Sequence, residues 1–169
     1  MNDKQNTKFD DKSPRIALLH EMEKHFDNND IEYFKQLLHH EDNVIRTRAV
    51  CILAEIGGKG VVDAISDTLT NDKDSLVRHE AAFALGQMGF PDALTTLSHS
   101  INSDPSLFVR HEAAIAVGVI GSEKGRDPLQ EALCDESHEV RESAKIALAN
   151  LDYISSVRTK GRFAKLTGG

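Results

Sequence analysis

Thirteen residues of this chain occur twice. Val77 to Gly89 reads VRHEAAFALGQMG and returns as VRHEAAIAVGVIG from Val109 to Gly121, with nine of thirteen positions identical. The offset is 111 − 79 = 32 residues. A degenerate copy, IRTRAVCILAEIG, lies one period upstream at Ile45 to Gly57, and another, VRESAKIALANL, downstream at Val140 to Leu151. The arginines at 46, 78, 110 and 141 are spaced 32, 32 and 31 residues apart. A fixed period of this size is the mark of stacked repeats, each a supersecondary unit that cannot hide its apolar face alone. The sequence therefore predicts an all-α solenoid of four helix pairs.

The rest of the chain falls into place around that period. Residues 1–12 are polar and charged without periodicity, and a disordered N-terminus is expected there. Ser13-Pro14 reads as an N-cap followed by proline at the first helical position. The helix it opens, over 13–29, places Ile16, Leu19, Met22 and Phe26 along one side and serves as a cap for the stack. Repeats follow over about 30–57, 58–89, 90–121 and 122–151, each with an outer and an inner helix. Asp30, Pro91 and Asp127-Pro128 mark outer-helix starts, and Gly, Asn, Asp or Pro punctuates the connections. From residue 152 a basic tail is expected, carrying Arg158, Lys160, Arg162 and Lys165.

Apolar residues recur at helical spacing in each inner helix: Val77, Ala81, Ala84, Leu85 and Met88, then Val109, Ala113, Ala116, Val117 and Ile120. Gly86 and Gly118 sit mid-helix, where each costs about 1 kcal/mol relative to alanine. With Ala54 and Ala149 at the matching places, small residues point to a close helix–helix approach. The recurring arginines, with Asp42, Asp74, Asp104 and Asp135 four to six residues before them, predict an Arg–Asp ladder between loop and helix. A net charge of −7 argues against a non-specific nucleic-acid binder, whose phosphate contacts need a basic surface. No apolar run reaches transmembrane length. Cys51 and Cys134, both in predicted helices, read as buried thiols of a reducing compartment, so a cytoplasmic protein is expected.

The period and composition resemble the HEAT-like repeats of the phycobilin-lyase type across about residues 30–151. More narrowly, the VRHEAA stretches are similar to the His-Glu motifs of the deoxyhypusine hydroxylase family. The resemblance implies four-repeat halves that face each other and together hold two non-haem irons. It also implies dioxygen-dependent hydroxylation of a modified lysine on a protein substrate. Carried across, His79, Glu80, His111 and Glu112 are one half's metal-ligating residues. Only two His-Glu motifs are in register here; Thr47-Arg48 and Glu142-Ser143 take the equivalent places. A complete di-iron site then needs a second subunit, and a homodimer is expected.

Elementary geometry constrains that reading. Equivalent positions on stacked helices lie about 8–10 Å apart, so His79 and His111 are placed to approach one ion. Residues i and i+1 diverge around a helix, so His79 and Glu80 do not share an ion, and each Glu is expected to serve one held mainly by the other subunit. Nitrogen and oxygen donors of this kind suit iron or manganese. The competing reading is a solvated polar face copied by duplication, in a scaffold whose concave surface holds a peptide or helix. A chaperone similar to the phycobilin lyases is a third. His20-Glu21 and His40-Glu41 fall out of register, and no phosphate loop, nucleophile elbow or HExxH motif is present.

Overall fold

The computed structural model describes residues 13–159, the side chains through 157. The expected disordered segment 1–12 and the basic residues from Lys160 onward lie outside the described residues. Nine helices follow one another among those described: α1 (Pro14–Asp27), α2 (Ile31–Leu37), α3 (Asn43–Ile56), α4 (Val62–Asn71), α5 (Ser75–Met88), α6 (Leu94–Ser103), α7 (Leu107–Ile120), α8 (Arg126–Ala132) and α9 (His138–Thr159). The inner helices α3, α5, α7 and α9 pack in a row, and α4, α6 and α8 form the outer layer against them. This is the expected α-solenoid.

Local chemistry sets the boundaries. Ser13 Oγ accepts from Ile16 N–H and Pro14 stands at the first position of α1, while Asp30, Asp42 and Asp74 cap α2, α3 and α5 in the same way. Both α5 and α7 end on a left-handed glycine, Gly89 at φ 70° and Gly121 at φ 67°, a conformation that glycine adopts without a Cβ penalty. Asp127 departs from expectation. It lies in the first turn of α8, after a 3-10 turn over Glu123–Gly125, and does not cap the helix.

The core runs between the layers without interruption, from Met22 and Phe34 through Ile65, Leu69, Leu85 and Leu97 to Leu129 and Leu151, all fully buried. Close approach explains the mid-helix glycines. A Cβ on Gly86 would stand 2.8 Å from both Cα and Cβ of Ala116, and one on Gly118 2.7 Å from Ala147 Cβ and 2.9 Å from its Cα. Asn150 donates to Gly118 O at 2.8 Å across the same contact.

Two further expectations are corrected. The basic tail does not begin at residue 152, because α9 continues to Thr159. Ile154 and Val157 extend the apolar stripe from Leu151 at three-residue steps and are buried. Cys134 is not a buried helical thiol; it lies just past α8 and is exposed, while Cys51 is partly covered, and both are free. No described helix is long and apolar enough to cross a membrane.

The Arg–Asp ladder exists, with a different partner from the one expected. Arg46 binds Asp72 through Nε at 2.6 Å and Nη2 at 2.9 Å; Arg78 binds Asp104 at 2.7 and 2.9 Å; Arg110 binds Asp135 at 2.8 and 3.0 Å. Each aspartate belongs to the following repeat. The upstream loop contributes backbone instead: Nη1 of Arg78 donates to Asp72 O and that of Arg110 to Asp104 O. Of the nearer aspartates, Asp42 and Asp74 are occupied as caps of α3 and α5 and Asp104 is gripped by Arg78, so the long guanidinium reaches forward. These three arginines are buried, and the forks pin each inner helix to the next loop.

Candidate functional site

The residue after each ladder arginine begins a second row. Because α3, α5, α7 and α9 are aligned by the period, Thr47, His79, His111 and Glu142 hold one place on successive helices, and Arg48, Glu80, Glu112 and Ser143 the next. The two places meet diagonally. His79 Nε2 lies 3.5 Å from Glu112 Oε2, and His111 Nδ1 lies 2.7 Å from Ser143 Oγ. Each histidine thus faces the second position of the following repeat.

Both contacts define proton positions. Glu112, almost buried, raises the proton affinity of His79 above the ordinary imidazole range, against the opposing effect of burial. Ser143 Oγ donates to Glu139 O at 3.0 Å, so it accepts from His111 Nδ1–H. The neutral ring then keeps its lone pair on Nε2, the tautomer of a ligand fixed by a polar partner behind it.

Glu80 is turned to a different neighbour. The Cys51 thiol donates to its Oε1 at 3.0 Å, and burial, reinforced by that carboxylate, pushes the thiol up to about 12. The pair borders a groove of about 1010 Å³ between α1, α3 and α5. Leu19, Met22, Phe26 and Ile52 supply apolar wall, and Glu23, Asp27, Glu55 and Glu80 supply carboxylates.

Two apolar rows flank the polar one. Leu76 and Phe108 precede the histidines by one turn and are 68% and 65% exposed. Phe83, Ile115 and Ile146 follow by one turn, and Ile146 is 70% exposed. Sequence reasoning passed over both rows, although each recurs with the same period as the histidines.

The four residues read from sequence as metal ligands therefore sort into a facing pair, His79 and Glu112, a histidine held from behind, His111, and a carboxylate engaged by a thiol, Glu80. The close partner of His79 is Glu112 of its own chain rather than His111. Among the described residues no group of three or more His, Cys, Asp or Glu side chains is gathered for a metal ion. The missed signal was the diagonal spacing of 112 − 79 = 33 residues, which pairs one repeat's first polar position with the next repeat's second.

Known proteins carry the same architecture. The family model for HEAT repeats matches residues 31–118, and that for the PBS lyase HEAT-like repeat matches residues 109–133. No curated protein matches the chain. Among solved structures, human deoxyhypusine hydroxylase in complex with glycerol is similar at 27% sequence identity and a TM-score of 0.69. The match covers 89% of this chain and 50% of that one, so the chain spans half the length of that structure.

Proposed function

This chain belongs to the HEAT-repeat family, matched over more than half of its length, and from that premise we propose a half-size, iron-dependent hydroxylase whose site is completed by a second copy. The observation that carries the reading is the His79–Glu112 pair: a nitrogen and an oxygen from adjacent helices, 3.5 Å apart. Two donors of one metal ion, each about 2.0–2.2 Å from it, stand at a comparable separation. The donor chemistry therefore fits iron. His79, Glu112 and His111 would hold it, and when bound it supplies dioxygen activation.

The chain's own residues do the rest. Ser143 holds the Nδ1 side of His111 from behind and leaves its Nε2 side turned away from that contact. The rows of Leu76 and Phe108, and of Phe83 and Ile115, offer the second copy an apolar surface around the polar centre and exclude water once covered. The groove bordered by Glu80 suits a long cationic side chain of the deoxyhypusine-lysine type: methylenes lie along Leu19, Met22 and Phe26, and carboxylates meet the amines. The half-length match to deoxyhypusine hydroxylase supports both the reaction class and the need for a second half.

The test is metal analysis of protein purified with ferrous iron, together with its mass in solution. About one iron per chain in a dimer is expected, lost on His79→Ala or Glu112→Ala with the fold intact. A second reading, a scaffold binding a peptide or helix without metal, draws on the exposure of Leu76, Phe108 and Ile146. Metal-free protein whose polar-row variants leave partner binding unchanged would establish it.

A further inference from the structure

The ladder contains four arginines and three carboxylate rungs. Arg46, Arg78, Arg110 and Arg141 all rest Nη1 on the carbonyl six residues upstream, that of His40, Asp72, Asp104 and Asp135 respectively. In the first three the remaining edge, Nε with Nη2, grips the aspartate of the next repeat. In Arg141 that edge meets no carboxylate among the described residues. Asp135, Glu139 and Glu142 are near enough to feel its charge, and none forms an ion pair with it. The arginine is anchored in the posture of the others, and no described aspartate stands at the place of the next rung.

Two more features of the internal junctions recur on this end of the stack. Where Gly86 and Gly118 admit a neighbouring helix, α9 presents Ala149, small and exposed. Ile146, in register with Ile115 of α7, is 70% exposed. The outer face of α9 thus repeats features of the internal junctions: a guanidinium fork, used three times inside the molecule, and a small residue at the register of the close approaches at Gly86 and Gly118, with an apolar side chain beside them.

We propose that this face docks a further helix-pair repeat, supplied from outside these 169 residues, that presents an aspartate at the register of Asp72, Asp104 and Asp135. The charge of Arg141 and the continuity with the internal junctions specify the partner's chemistry. Residues 160–169 contain no Asp or Glu side chain to take the place of Asp72, Asp104 or Asp135. A second copy does not present it from its first repeat either. There His40 takes the place of Asp72, its Nδ1 accepting from Asp42 N–H as Asp72 accepts from Asp74 N–H, and Asp42 is paired with Arg15. This docking is independent of the proposed metal site.

The experiment uses the full chain with a copy of its own residues 90–121, which include Asp104, tethered behind Gly169 by a flexible Gly/Ser linker. Such a tether holds the copy at an effective concentration of order mM, so that even weak docking is visible. Hydrogen exchange across the appended copy and the side-chain N–H resonance of Arg141 are read together. Docking predicts new protection in the copy and a shifted Arg141 resonance. Asp104→Asn in the copy, or Arg141→Gln or Ile146→Glu in the host, lowers the docked fraction by roughly tenfold. An unprotected copy, or protection that survives Asp104→Asn, overturns the proposal. So does self-association of the untethered chain that Ile146→Glu abolishes, since a second copy would then be the occupant.

Discussion

The ladder arginines and the histidines beside them occupy adjacent positions on the same helices, yet the two rows are built differently. The Arg–Asp rungs are alike three times over: bidentate, buried and closed. The polar rungs are all unlike, His79 with Glu112, His111 with Ser143, and Glu80 with Cys51. A contact needed for stacking is needed at every junction and so repeats without change. A contact needed for chemistry is required where the ligand sits, and the same slot elsewhere is free to hold threonine or serine. Periodicity marks the frame, and departure from it marks the candidate site.

The sharpest way to break that contrast is to remove a rung of the frame. Arg78→Ala leaves Asp104 buried without its partner, and such losses cost about 3–5 kcal/mol. Urea unfolding should show it, whereas a small effect would make the ladder as dispensable as the neighbouring row. Next in size, Gly118→Leu drives a side chain into Ala147 and should cost about 1–3 kcal/mol by the same measurement. His79→Ala should change stability by less than about 1 kcal/mol, since the ring is one-third exposed and surface pairs contribute little, while iron binding is lost. A large loss of stability with iron retained would move His79 into the frame.

The smallest effect is one of pH. In the metal-free protein His79 takes up a proton more readily folded than unfolded, because Glu112 holds the charged ring. The stability this adds is fully present below the unfolded value of about 6.5 and is lost as pH rises through the folded one. The stability gap between wild type and His79→Gln should therefore be wider at pH 6 than at pH 8. An unchanged gap would mean that the pair does not share a proton.

The period made the stack, its helix pairs and the need for small residues at 86 and 118 readable from the chain. It did not reveal partners across repeats. Asp74 is near Arg78 in sequence but caps α5, while the arginine reaches Asp104, which lies 26 residues on. The divergence of residues i and i+1 correctly separated His79 from Glu80, but the neighbouring helix of the same chain went unconsidered as a source for the carboxylate. The extent of α9 was hidden for another reason. Ile154 and Val157 lie among charged and polar residues, and the 32-residue frame draws attention away from anything beyond its last copy.

That overrun of α9 gives the molecule a direction. Its last turns run on past the end of α7, where Ile154 reaches Gly121 and adds a further contact between the fourth unit and the third. At the opposite edge α1 commits only Met22 fully to the interior. Opening should start at the N-terminal edge and travel toward α9, freeing the wall of the acidic groove while His111 and Ser143 still hold together.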